Sequence, residues 1–372
     1  MLALRSLLIL AAAAAAAQSL SPDLVKKIEA TIVAEKSKLG IPGLTVAVAV
    51  NNQLRYAKAF GMADLERDVP AKSTTLFRTA SIAKAMTAAG VMKLVEQGRL
   101  DLDAPVQKYC PEFPEKPWPV TTRQLLGHLG GVRHYDRPGE AAGKAHYWGV
   151  KHSLDVFKYD PLLHEPGTRY HYTTFGFTVL GCAIEGASGK TYEEWMREAV
   201  WRPAEMERTR IDEHFLVIAD RTQFYHRLRP QEHAQLAPPE QAKVKPGAIL
   251  NAELHDTSMK VPGGGLLSTS TDLVRFGISM NTGALLKKST VELMWTSQKT
   301  ADGKDTNYGM GWVISTRDGV KVVSHSGGQA GTSTLLNIWP ERGVIVAAMA
   351  NLDGAGIGGM VRSIGETLLA AK

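Results

Sequence analysis

The sequence predicts a mixed α/β (α+β) fold: an antiparallel sheet flanked by helices, with a mainly helical lobe inserted between its two halves. Three observations predict it. Four short apolar or alternating runs (YGMGWVIS, KVVSHSG, TSTLLNIWP and GVIVAAMANL) follow one another in the last third, separated by turn residues. Consecutive strands joined by tight turns make an antiparallel sheet. Near the other end, GLTVAVAV and LRYAKAF flank Asn51 and Asn52 as a hairpin that can join that sheet. Between them the chain is helical and loop-rich.

Residues 22–39 (PDLVKKIEATIVAEKSKL) carry Leu24, Ile28 and Ile32 on one face of an amphipathic helix. The hairpin follows, then a helix from FRTASIAKAMTAAGVMKLVEQGRL. From 101 to 170 the chain is loop-rich, with Pro105, Pro111, Pro114, Pro117 and Pro119 and short helical pieces such as TTRQLLGHL. TFGFTVLGCAIEGASG and TYEEWMREAVWRP read as two helices, and residues 212–262 as irregular. STSTDLVRFGISM has the Ser/Thr-before-Asp pattern of a capped helix, and MVRSIGETLLAA closes the chain as a helix that can lie on the sheet. The expected organisation is one catalytic domain over 22–372. Its sheet lobe takes about 22–78 with 300–372, and its helical lobe about 79–299.

The first 17 residues, with one Arg and an apolar run from Leu7 to Ala17, read as a secretory signal peptide, so the mature protein is expected to be exported, periplasmic or secreted. The run is short for a membrane span, and no stable membrane insertion is expected after its cleavage. A net charge of +6 over 372 residues is modest, and its cations are interleaved with acids. No basic stripe suggests nucleic acid. Cys110 and Cys182 are too few for a disulfide framework. Two unpaired thiols are the expectation, with a single disulfide as the alternative.

Ser81-Ile82-Ala83-Lys84 is the one S-x-x-K in the chain. An extended stretch precedes it and a helix follows. Ser81 therefore falls in a first turn, where free N–H groups and the helix dipole favour a developing oxyanion. A lysine one turn on faces the same way, and partial desolvation would let it take the serine proton. A capping Ser with a surface Lys is the competing reading. Tyr172, in HYTTFGF, would be structural by itself; beside a cation its phenol becomes a stronger acid able to shuttle a proton. His325-Ser326-Gly327-Gly328 puts polar side chains and two glycines on a strand edge, where a substrate can approach closely and a free N–H can complete an oxyanion hole. His128, in a similar H-x-G spelling, is expected to be structural.

S-x-x-K, then Y-x-[N/S/T], then H-x-G or K-T-G, in that order, resembles the serine β-lactamase and penicillin-binding protein superfamily. The likeness is to its class C β-lactamase-like branch. LFRTASIAKAMTAAGVMKLVEQGRLDLDAPV, TTRQLLGHLGGVRHY, PGTRYHYTTFGFTVLG, PGGGLLSTSTDLVRFG and SHSGGQAGTSTLLNIWP carry it over nearly the whole mature chain. The RHY and HYTTFGF spellings look most like bacterial relatives of the β-lactamase-like serine protein of animal mitochondria. The resemblance implies a two-lobed fold with the site in the cleft. It implies that Ser81 is acylated, Lys84 is its base partner and Tyr172 the proton shuttle. The N–H groups of Ser81 and Gly328 would form the oxyanion hole, with Thr174, His325, Ser326 and Gly327 on the substrate. It implies no metal and no organic cofactor.

Two departures bear on substrate. Thr174 stands where class C enzymes carry Asn, and a threonine cannot offer an amide's donor and acceptor together. His325 stands where many relatives carry Lys and is mostly neutral at pH 7. Acylation chemistry stays, while the hold on penicillin-like carboxylates weakens. The expected function is a serine hydrolase acting on an amide, peptide or ester bond of a small molecule or peptide, with peptidase or esterase favoured over efficient β-lactamase. The alternative is a non-catalytic penicillin-binding-type or self-assembling module of the same fold. An α/β-hydrolase is excluded because no G-x-S-x-G occurs.

Overall fold

The computed structural model describes residues 19–371. The signal-peptide expectation over 1–17 lies outside the described residues. Among them, no helix is long and apolar enough to cross a membrane.

Helix α1 (Pro22–Lys38) starts at Ser21, whose hydroxyl accepts from the Leu24 amide, and buries Ile28 and Ile32. Strands β1 (Gly43–Val50), β2 (Gln53–Asp64) and β3 (Val69–Pro70) follow, and β4 (Val313–Arg317), β5 (Val320–Gln329), β6 (Thr332–Trp339) and β7 (Val344–Ala350) come from the last third. They form one seven-stranded sheet in the order β3-β2-β1-β7-β6-β5-β4. β1 pairs antiparallel with β7 in the register Ala47↔Ala347, so the N-terminal hairpin does complete the C-terminal sheet. The strand expected over YGMGWVIS starts only at Val313, while Tyr308 and Trp312 turn inward as buried side chains.

The register explains the uniform apolarity of GLTVAVAV. Leu44, Val46 and Val48 face a core shared with α1 and with the terminal helix α5 (Gly358–Ala370). Ala47 and Ala49 face the larger core on the other side. A strand covered on both faces has no polar positions to alternate with.

The larger core holds α2 (Ile82–Glu96), α3 (Phe175–Ser188) and α4 (Ser270–Thr282). α2 is buried nearly all round, from Ile82 to Leu94, as befits the central helix of a lobe. A small sheet of Phe77–Arg78, Leu266–Ser268 and Arg210–Ile211 pins the segment leading into α2. The 212–262 stretch is less irregular than expected: Tyr225–Arg227 pairs with Ile249–Asn251, and residues 255–262 are buried.

The two cysteines are not free thiols. Cys110 and Cys182 are disulfide-bonded with Cα atoms 5.3 Å apart, tying the proline-rich loop to α3 across 72 residues. Sequence spacing had no means of showing that α3 lies beneath that loop. Closing a loop of this length removes unfolded-state entropy worth roughly 2–4 kcal/mol. The Cys110→Ser/Cys182→Ser double variant is expected to lose about that much in urea denaturation. An unchanged midpoint would mean the bond does not form in the folded protein.

Candidate active site

Ser81 is the N-cap residue of α2, yet its hydroxyl makes no capping bond. It meets Lys84 Nζ at 3.0 Å instead. Ala80, immediately before it, is buried with φ +45°, a left-handed conformation that costs an L-residue of order 1–3 kcal/mol. The chain is held there from two sides: the Thr79 amide donates to the Leu266 carbonyl at 2.8 Å, and the Thr334 hydroxyl donates to the Thr79 carbonyl at 2.9 Å.

Lys84 is fully buried. Its Nζ lies 3.0 Å from Ser81 Oγ, 3.0 Å from Thr174 Oγ1 and 2.6 Å from the Gly263 carbonyl, with no carboxylate among these partners. Burial, with a smaller push from Lys260, holds its pKa well below the ordinary lysine value. As a neutral amine, Nζ has two hydrogens and one lone pair. The carbonyl and the threonine oxygen take the hydrogens, which turns the lone pair to the serine hydroxyl.

The Tyr172 phenol lies beside Ser81, and Lys84 Nζ sits 4.9 Å from the centre of its ring. The neighbouring cation was expected to make this phenol more acidic. Burial raises its pKa instead, more than Ser81 lowers it, so the hydroxyl keeps its proton at neutral pH. The strand-like 171–174 segment is fastened to 128–134. The His171 amide donates to the His128 carbonyl at 2.9 Å, the Thr173 amide to His128 Nδ1 at 3.2 Å, and the Thr174 amide to His134 Nδ1 at 3.2 Å. His128 is structural, its ring packed 4.3 Å from that of Tyr172 and 4.6 Å from that of Tyr308.

The strand β5 supplies the opposite wall. β5 pairs with β4 only through Ser324, so from His325 to Gln329 its outer edge is unpaired. Ser326 and Gly328 are exposed on that stretch, whereas Gly327 turns inward. A Cβ at Gly327 would stand 2.4 Å from the Thr79 carbonyl oxygen, which only glycine avoids.

His325 does not present its ring to the cleft as expected. The side chain is 3% exposed. Nδ1 lies 2.7 Å from the Ser326 carbonyl, which can only accept, so Nδ1 carries the proton and Nε2 accepts from the Tyr308 hydroxyl at 2.9 Å. Burial and the nearby Lys84 push its pKa down to about 3. His325→Lys would place an ammonium in this closed space and is expected to cost roughly 2–5 kcal/mol in urea denaturation. A variant as stable as the parent that gains affinity for carboxylate-bearing ligands would show that this position opens to the cleft.

The structure therefore brings Ser81, Lys84, Tyr172 and Thr174 together, with Ser326 and Gly328 on the facing edge. Thr174 is buried and holds the lysine from below. Three participants were not foreseen. The Gly263 carbonyl is the shortest partner of Lys84, and the run Gly263-Gly264-Gly265 was its available signal. Tyr308 anchors His325, and nothing in its local sequence marks it. Lys260 is buried, its pKa lowered to about 7 by desolvation and Arg78, and donates to the Ala141 carbonyl at 3.2 Å. Among the described residues, the grouping of metal-ligand types at Cys110, Glu112 and Cys182 has both sulfurs joined to each other rather than free to ligate.

A family model described as Beta-lactamase matches residues 25–361. The human mitochondrial serine beta-lactamase-like protein LACTB is 29% identical over 429 aligned positions, which span 87% of this chain and 75% of that protein. Penicillin-binding protein 4* of Bacillus subtilis is 29% identical, over 78% of this chain and 64% of its own length. Among solved structures, the octameric penicillin-binding protein homologue from Pyrococcus abyssi superposes with a TM-score of 0.76 at 26% identity, covering 94% of this chain and 78% of that one. D-amino acid amidase from Ochrobactrum anthropi SV3 has a TM-score of 0.78 at 21% identity, over 94% and 100% of the two chains, a likeness of fold alone.

Proposed function

Because the chain belongs to the β-lactamase family of serine hydrolases and penicillin-binding proteins, we propose that it hydrolyses an amide, peptide or ester bond through a Ser81 acyl-enzyme. One observation carries the reading: a fully buried lysine without a carboxylate partner, 3.0 Å from the hydroxyl of a serine that caps nothing. A lysine kept only for structure has no reason to be desolvated against a serine.

Neutral Lys84 takes the proton of Ser81 as Oγ bonds to the substrate carbonyl carbon. The carbonyl oxygen becomes an oxyanion against the N–H groups of Ser81 and Gly328. Tyr172, still protonated, passes its proton to the leaving alcohol or amine and regains one from Lys84. The carbon–leaving-group bond breaks and the acyl group stays on Oγ. A water then attacks the ester by the same route in reverse, releasing the acid and restoring Ser81. The leaving group carries off the Ser81 proton, and the attacking water returns one to Ser81 through Lys84 and Tyr172.

Export to an oxidising compartment is part of the proposal. The apolar N-terminal run and the Cys110–Cys182 bond both support it, since disulfides persist mainly in such compartments.

The test is intact mass of the purified protein after benzylpenicillin, and separately after a fluorophosphonate probe, with Ser81→Ala alongside. A Ser81-dependent penicilloyl adduct establishes penicillin recognition. Fluorophosphonate labelling without that adduct identifies a hydrolase for other acyl groups. Labelling by neither reagent would refute an activated Ser81.

A further inference from the structure

We propose that a pocket beside Arg78 binds a medium-length apolar acyl chain, which narrows the substrate class to esters or amides of such acids. The inference rests on the hydrolase reading above for its chemistry but not for the pocket itself. The cavity measures about 510 Å³, within the range of small-molecule sites. Phe215, Leu216, Phe224 and Leu254 form its apolar side, while Arg78, Arg221, Glu253, His214 and His255 line the rest.

Several of these side chains are displayed rather than buried: Phe215 is 56% exposed, Leu216 50% and Leu254 56%. Scattered apolar side chains on a surface need no explanation, but a cluster around one cavity does. The rim continues across a second loop. Trp148, 71% exposed, meets the His146 ring edge-to-face at 4.3 Å and lies 5.7 Å from Phe215. His146 is itself fixed by Asp256 Oδ2, 2.8 Å from its Nδ1.

Both arginines of the pocket are already engaged: Arg221 donates to Asp212 at 3.2 Å and to the Glu213 carbonyl at 3.0 Å. Arg78 donates to Asp212 at 2.7 Å, to the Ala330 carbonyl at 3.1 Å and to the His255 carbonyl at 3.0 Å. Its guanidinium lies flat, 4.0 Å from the centre of the Phe224 ring. Guanidiniums so engaged have little left for a ligand carboxylate, and the Glu253 carboxylate in the same lining repels one. A neutral chain fits this site better than an anionic group.

Position ties the pocket to the reaction. Arg78 precedes Ser81 by three residues, and Ala330 follows directly on the unpaired edge of β5. Gly331, next in the chain, packs so closely on Phe224 that a Cβ there would meet it at 2.2 Å. An acyl chain leaving the Ser81 ester along the edge from Ser326 to Gln329 therefore arrives at Phe224 and Arg78.

The test compares kcat/KM for p-nitrophenyl acetate and p-nitrophenyl octanoate in the parent protein, Leu216→Asp and Leu216→Met. Full burial is worth about fourfold per methylene, so burying three of the six additional methylenes predicts an octanoate preference of about 60-fold. That preference should fall at least about tenfold in Leu216→Asp and persist in Leu216→Met. Calorimetric binding of decanoate to Ser81→Ala tests the pocket apart from catalysis, and Leu216→Asp in that background should abolish it. A preference unaffected by Leu216→Asp, or no decanoate binding, overturns the proposal. So does an effect of Leu216→Asp confined to phosphatidylglycerol-vesicle binding or to self-association, because the surface would then serve a membrane or a second copy. Decanoate binding without turnover of either ester supports the pocket while refuting the hydrolase reading.

Discussion

Ser81→Ala is expected to abolish turnover, by at least about 10⁴-fold, while leaving the fold intact. No other group in the cleft can replace the lost oxygen. Lys84 is withdrawn beneath the surface, and Tyr172 keeps its proton because burial raises its pKa. The structural cost should be small. A Ser-to-Ala change at an N-cap typically costs about 1 kcal/mol through the lost capping bond, and Ser81 makes none. Lys84 would keep Thr174 and the Gly263 carbonyl as partners. Steady-state kinetics with a thermal melt on the same sample separates the two effects. Residual activity within tenfold of the parent would remove Ser81 as nucleophile, and a collapsed melting transition would mean that its hydroxyl is structural.

Lys84→Met is expected to slow acylation by about 10²–10⁴-fold, the usual contribution of a positioned base. In the parent, activity should fall on the acid side as Lys84 takes up a proton, and this limb should vanish in the variant. The same side chain makes a stability prediction with a definite sign. Its folded pKa lies well below the unfolded value, so between the two the unfolded chain binds one more proton. Stability from this group is therefore complete only above the unfolded pKa, about 10.4, and declines as pH falls toward the folded value by about 1.4 kcal/mol per pH unit. Subtracting the Lys84→Met curve from the parent's should isolate that slope from all other titrations. Parallel curves across pH 7–9 would mean that Lys84 is charged in the folded protein.

Much of this was readable before any coordinates. The periodicity of α1, the turn at Asn51 and Asn52 and the last three strands report local preferences and appear where the pattern placed them, while the strand expected over YGMGWVIS starts only at Val313. The Ser81–Lys84 relation was readable for the same reason, since a spacing of three on a helix fixes which side chains share a face. What could not be read was anything set by contact between distant segments. The Cys110–Cys182 pair depends on a loop crossing α3. The inward turn of His325 depends on Tyr308, and the elevated pKa of Tyr172 depends on how completely its neighbours exclude water.

The sequence by itself determined the element order and the order of serine, lysine, tyrosine and strand edge along the chain. These follow from short-range sterics and hydrophobic period, which act within a few residues. Only the tertiary structure decided that Lys84 is dry, that the Gly263 carbonyl and Thr174 orient its lone pair, and that Arg78 is already engaged beside Phe224. Desolvation and hydrogen-bond completion depend on every group within a few ångströms, and in this site those groups come from segments as far as 255 residues apart.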